Sequence, residues 1–193
     1  MTAARATRRT AKAAPRRRRS MRGAALPTPL PSPPIVVVAN RQRDQALVPE
    51  VVAETACLVL GRVGRDAELG IHLVSAKEMT RLNRDYLGHE GSTDVITFDH
   101  GSGPDRLHGE LFVCVADAVT QAGEFGTTWP EEVARYVIHG ILHLCGHDDL
   151  QPDARRAMKR EENRLVRWLA QVLPPAGIAR VAMPRRKNRR RHG

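Results

Sequence analysis

Residues 139–149 read His-Gly-Ile-Leu-His-Leu-Cys-Gly-His-Asp-Asp, and the rest of the chain is best read outward from them. His139 and His143 stand four apart in an apolar run of helical character. That spacing sets both imidazoles on one face, a turn apart, in reach of a single ion. Gly146 follows three residues later and lets the chain leave the helix and turn back. Polar ligand types come directly after it. Two histidines from a helix and one donor from the following turn leave a coordination position open, the pattern of a catalytic zinc site rather than a closed structural one. The third donor is Asp149 or His147. Histidine is the commoner zinc ligand, which favours His147. Spacing favours Asp149, because sites of the form H-x-x-x-H-x-x-G-x-x-H place the last ligand three residues after the glycine. An aspartate oxygen is an acceptable zinc ligand and makes the site harder, so its metal preference is less exclusive. The expected set is His139, His143 and Asp149 around one Zn2+ ion, with His147 the runner-up, otherwise contacting a ligand or substrate.

Residue 140 narrows the chemistry. Zinc peptidases of the H-E-x-x-H type place a glutamate after the first histidine as general base. This chain has Gly140, so peptide hydrolysis is disfavoured. A metal still activates water or polarises a phosphoryl oxygen without that glutamate. Cys145 lies two residues past His143, off the ligand face, and reads as a small core residue. Cys57, Cys114 and Cys145 form no CxxC pair, which fits a reducing compartment.

Upstream of the motif the chain alternates strand and helix signals. Ile35 to Ala39 is a β-branched run typical of a strand. Pro49 opens a helix to about Arg62. Leu69 to Val74 alternate as a second strand, and Ser75 with Glu78 forms a capping-box pattern for a helix to about Tyr86. Asp94 to Phe98 and Gly109 to Val115 are two further strands, and Val95 and Phe98 are core candidates. Asp117 starts a short helix to about Glu124. Trp129-Pro130 opens the motif helix, with Glu131 and Glu132 in its first turn as the dipole prefers. Trp129 there packs the start of the helix in preference to stacking on a base. Asp153 opens a last amphipathic helix with Met158, Leu165, Trp168, Leu169 and Val172 on its apolar side. The order β-α-β-α-β-β-α-α-α predicts an α/β (α+β) fold, one mixed four-stranded sheet packed with about five helices.

The net charge of +10 is unevenly spread. Residues 1–34 carry nine Lys/Arg and residues 180–193 carry seven, and neither stretch has an acid. The 145 residues between hold 15 basic against 21 acidic side chains, about −6. Basic tails attract phosphate backbones without reading sequence, and they are equally read as solvated chain. The boundaries expected are a basic, Pro- and Arg-rich disordered tail over 1–34, a catalytic domain over 35–175 and a basic tail over 176–193. No apolar run approaches membrane-spanning length and the N-terminus lacks an apolar signal core, so a cytoplasmic place is expected, with organelle targeting by the Arg-rich N-terminus left open. Oligomeric state is not legible. With the peptidase base absent and the tails basic, phosphodiester hydrolysis is the better reading.

Four motifs then align with a known family. The chain resembles the YbeY-type endoribonucleases, bacterial rRNA maturation factors. They carry an H-G-x-L-H-L-x-G-[YH]-x-[HD] metal motif, here His139 to Asp149. They carry T-D-V-[LI]-[ST]-F, here Thr93 to Phe98, a G-[DE]-[IL] strand, here Gly109 to Leu111, and L-N-x-x-Y, here Leu82 to Tyr86. The resemblance covers about residues 69–165 and leaves out the tails. It implies a zinc-dependent, single-strand-specific endoribonuclease that matures the 3′ end of small-subunit rRNA and aids ribosome quality control, with rRNA and ribosomal subunits as partners. A non-catalytic, metal-stabilised assembly factor that binds RNA is the alternative, and a metallopeptidase is the one Gly140 disfavours. Two positions depart from the family. Many members have an arginine after the tyrosine, thought to contact RNA, where this chain has Leu87. The third metal position, usually histidine, is Asp149. The candidates for RNA contact are Arg84, with Arg81 near it, and Thr93 and Asp94, which are equally read as the cap of the strand that follows.

Overall fold

The computed structural model describes residues 33–180. In chain order the elements are β1 (Ile35–Asn40), α1 (Pro49–Val63), β2 (Asp66–Val74), α2 (Ala76–Leu82), a π-helical turn (Asn83–Leu87), β3 (Val95–Asp99), β4 (Arg106–Cys114), α3 (Val115–Phe125), α4 (Trp129–Leu144), α5 (Pro152–Val172) and a 3-10 turn (Pro175–Ile178). This is the α/β arrangement expected: one four-stranded mixed sheet and, among the described residues, five α-helices. The strand order is β1-β2-β4-β3. β1, β2 and β4 run parallel, and β3 pairs antiparallel with β4.

Alternation along the strands decides which face is covered. Ala67, Leu69, Ile71 and Leu73 of β2 and Leu107, Leu111 and Val113 of β4 are buried, and α1 and α4 pack over them in the main core. Gly109 lies on that face with no room for a side chain. A Cβ there would stand 2.5 Å from the Phe98 carbonyl oxygen and 2.8 Å from Leu144 Cδ2. Gly140 of α4 makes the matching close approach, its Cβ position being 2.6 Å from Leu111 Cδ2 and 3.2 Å from Thr97 Oγ1. The two glycines set how near the metal-motif helix sits to the sheet. The opposite face carries a smaller cluster of Val74, Met79, Ile96 and Cys114, against which Phe98 and Phe112 are partly buried.

Several boundaries differ from the sequence reading for identifiable reasons. β2 and β4 each start three residues early, because the parallel ladder pairs Asp66 with Arg106 and Glu68 with His108, whose side chains face water and give no apolar signal. α3 starts at Val115, before Asp117. α2 ends at Leu82, and the chain continues as a π turn to Leu87, closed by Gly88 at φ 69. Ser75 Oγ does accept from the Glu78 N–H at 3.4 Å, but the Glu78 carboxylate pairs with Arg41. Val172 is 51 % exposed at the end of α5 and is not part of its buried stripe. The boundary expected after residue 175 falls inside the packed chain: Ile178 is fully buried, and the Val48 N–H donates to its carbonyl at 2.8 Å. The expected tails lie outside the described residues, apart from 33–34 and 176–180. No described helix is long and apolar enough to cross a membrane.

Candidate metal centre

α4 presents the two histidines, and its start is well anchored. The Thr128 N–H donates to Glu131 Oε2 at 2.8 Å, so the first-turn acid caps the helix. Trp129 is partly buried against the core and Pro130 is buried, so the tryptophan packs the helix start as expected. α4 ends after Leu144, and Gly146 adopts φ 88, which only glycine takes without strain. The Gly146 and His147 N–H groups donate to the His143 and Leu142 carbonyls at 2.9 and 3.0 Å. The turn brings Asp149 back over the helix, where Arg155 Nε holds the Asp149 carbonyl oxygen at 2.7 Å.

The result is a compact donor group. One ligand atom each from His139, His143 and Asp149 all lie within 4.8 Å of one another. Asp149 carboxylate oxygens stand 3.8 Å from His139 Nε2 and 3.9 Å from His143 Nε2. The His147 imidazole is not in the group; its backbone carbonyl accepts from His143 Nδ1 at 3.1 Å. Cys145 is outside as well, packed partly against the core, with burial pushing its thiol up.

Hydrogen bonding orients both rings. His139 Nδ1 donates to Glu162 Oε2 at 3.0 Å, and His143 Nδ1 donates to a carbonyl. With Nδ1 turned to its acceptor in each ring, the two Nε2 atoms face each other at 3.0 Å. Two ring nitrogens that close share either a proton or a metal cation. Burial and the neighbouring His139 also push His143 down, favouring the neutral ring that binds metal. The donor set fits a dication such as zinc, with two imidazole nitrogens and one carboxylate.

Glu162 of α5 was not found from sequence. Its side chain is 4 % exposed. Burial raises its carboxyl, but hydrogen bonds from His139, Lys159 and Arg135 outweigh that and hold it at about 2, so it is ionised. Arg135 Nη1 and Lys159 Nζ both approach Oε1 at 2.8 Å. A signal existed: Glu162 sits on the buried stripe between Met158 and Leu165, where an acid is costly unless paired. Glu132, 3 % exposed, likewise accepts from Thr127 Oγ1 at 2.6 Å and pairs with Arg135 at 3.4 Å.

A cavity of about 630 Å3 opens beside His139 and Asp149, walled by α3, α4, α5 and Asp94. Asp94 both lines it and caps β3, its Oδ1 accepting from the Val95 N–H at 2.9 Å and from Thr93 Oγ1 at 3.0 Å. The Thr93 hydroxyl is thus spent on Asp94. Tyr136 also lines the cavity; its buried hydroxyl has no partner among the described residues, and burial with Asp94 and Glu132 nearby pushes it well above the usual phenol range. Arg84 is elsewhere. It pairs with Asp85 at 3.0 Å and lines a separate cavity with Arg41, Lys77 and Arg81. Leu87 is 49 % exposed at the end of the π turn.

Comparison with known proteins agrees with this architecture. The family model "Endoribonuclease YbeY" matches residues 38–170. An endoribonuclease YbeY of Chlorobium luteolum is 36 % identical over 131 residues, 67 % of this chain and 92 % of that protein. One from Bacteroides thetaiotaomicron is 42 % identical over 100 residues, 52 % of this chain and 72 % of that protein. A solution structure of a Thermotoga maritima protein matches with TM-score 0.55 at 25 % identity, covering 72 % of this chain and 91 % of that one. With the family model spanning most of the sheet, the motif helix and most of α5, the chain belongs to the endoribonuclease YbeY family.

Proposed function

We propose that this protein is a zinc-dependent endoribonuclease that cuts single-stranded RNA and matures the 3′ end of small-subunit rRNA, serving ribosome quality control in a bacterial-type cytoplasm. The observation that carries the metal-dependent part is the pair of Nε2 atoms facing each other at 3.0 Å with the Asp149 carboxylate beside them. The RNA part rests on the relatives' printed activity.

His139, His143 and Asp149 would hold the ion, which when bound supplies Lewis acidity toward a phosphoryl oxygen. The remaining work belongs to the chain. Glu162 fixes the His139 ring and keeps Nδ1–H as donor, so that Nε2 stays a ligand. Arg135 and Lys159 hold Glu162 ionised, and Lys159, 57 % exposed on the cavity wall, is placed to meet a phosphate oxygen. Gly140 faces Leu111 of the sheet, so position 140 has no room for the glutamate a peptidase would need.

The test is cleavage of a single-stranded RNA and of ribosomal precursor RNA by wild type and Asp149→Ala, with metal content measured on both. Cleavage by wild type and its loss together with zinc in the variant are expected. Full cleavage by a zinc-free Asp149→Ala protein would sink the reading.

A further inference from the structure

The cavity beside the donor group has an aromatic wall that the fold does not use. Phe125 is the last residue of α3 and lines the same cavity as His139 and Asp149. It continues the buried stripe of α3, following Ala118 by seven residues and Ala122 by three. Those two alanines are buried, whereas Phe125 is 67 % exposed and packs against neither hydrophobic cluster. Gly126 at φ 66 ends the helix directly after it and turns the chain away toward α4, so no later residue of α3 covers the ring. Leaving a phenyl ring largely in water forgoes the stabilisation that burying it would bring. A ring kept open on a cavity wall beside metal-ligand types is shaped for a flat apolar partner.

The other walls define that partner further. Gln121 of α3 and Asn163 of α5 place amides on the same cavity. Asn163 Oδ1 accepts from Arg135 Nη1 at 3.1 Å, which fixes the side chain and leaves its NH2 outside that bond. Lys159 supplies an exposed cation. An aromatic face, amides able to pair with a ring edge, and a cation near a metal-binding group together fit a nucleotide unit: a base to stack, an edge to bond, a phosphate to neutralise.

We propose that Phe125 is the stacking platform for one nucleobase of the bound strand, a base subsite adjoining the metal centre. This rests on the endoribonuclease reading above. Stacking tolerates any base, so the subsite would favour unpaired strands, whose bases are free to splay, over duplexes, whose bases are already stacked.

The experiment uses the full chain and a fluorescein-labelled, 2′-O-methylated single-stranded oligonucleotide, which cannot be cut by attack of its own 2′-hydroxyl, with an abasic oligomer of equal length as control. Phe125→Ala is expected to fold as wild type, since the ring is largely exposed, and to bind the oligonucleotide roughly 5- to 150-fold more weakly. Both proteins are expected to bind the abasic oligomer equally. Phe125→Trp is expected to restore affinity and to show tryptophan quenching on binding beyond that of Trp129 and Trp168 in wild type. Equal affinity of wild type and Phe125→Ala for the base-bearing strand, or no added quenching in Phe125→Trp, overturns the subsite. Cleavage of unmodified RNA is read separately. Wild-type cleavage with a Phe125→Ala KM unchanged removes the subsite and leaves the endoribonuclease reading. Base-dependent binding without any cleavage does the reverse.

Discussion

Replacing Glu162 by glutamine probes how the fold prepares the metal group. The carboxylate is 4 % exposed and has three partners at 2.8–3.0 Å: Arg135, Lys159 and His139. Glutamine keeps the shape and keeps one oxygen, which can still accept from a single donor. Its NH2 must then face one of the remaining donors, and the negative charge is gone. Lys159 is 57 % exposed and returns to water at little cost. Arg135 is 23 % exposed and keeps Glu132 at 3.4 Å and Asn163 Oδ1 at 3.1 Å. Breaking a buried pair by removing one partner costs about 3–5 kcal/mol, and with one cation able to escape the lower figure, about 3 kcal/mol, is expected. If the glutamine oxygen goes to Arg135, His139 loses its acceptor and its ring can flip or change tautomer. Removing such a partner lowers metal affinity by about 10- to 100-fold. Competition with a chromophoric zinc chelator measures the affinity, and urea unfolding of the metal-free protein measures the stability. Zinc affinity equal to wild type in Glu162→Gln would refute the claim that Glu162 prepares His139. A loss of stability alone would leave Glu162 as a packing residue.

Other perturbations follow from the same geometry. Gly109→Ala should destabilise by more than Gly140→Ala, because its Cβ meets a backbone oxygen at 2.5 Å whereas that of Gly140 first meets the end of the Leu111 side chain; about 1–3 kcal/mol is expected for Gly140→Ala, read by urea unfolding. Gly146→Ala has open space around the Cβ but must hold φ 88, so a cost of about 1–2 kcal/mol and a displaced Asp149 are expected, read as weakened zinc binding in the same chelator assay. Hydrogen bonds from His72 and His100 hold the Glu110 carboxyl below its ordinary range. Its folded-state pKa lies below the unfolded one, so its contribution to stability is complete above the unfolded value and is lost as pH falls through the folded value. Glu110→Gln should therefore lose less stability than wild type between about pH 5 and pH 3 in thermal melts.

The parts of this molecule legible in its sequence are those written in local periodicity. The spacing of His139, His143 and Gly146 survives as two imidazoles and a turn in space, because helix geometry and a left-handed glycine are local facts. The element order was legible for the same reason. Sheet order was not: nothing in β1 or β3 states that β4 lies between β2 and β3. Strand starts at Asp66 and Arg106 were hidden because outward-facing polar residues carry no apolar signal. Glu162 is distant in sequence from His139 and meets it only through the packing of α5 on α4. Gly140 was read for the glutamate it lacks, whereas its neighbours give it a packing reason. Arg84 is close to Leu87 in sequence, but the π turn carries it to a different cavity from the donors.

The most direct test of the central claim is RNA cleavage as a function of bound metal. Purified protein should carry about one zinc per chain, cut single-stranded RNA, lose that activity on chelation and regain it when zinc is returned. His143→Ala, folded by circular dichroism, should hold no zinc and cut nothing. Full cleavage by the chelated protein or by His143→Ala would contradict the account. So would a zinc-loaded wild type that binds RNA, melts lower on chelation and never cuts.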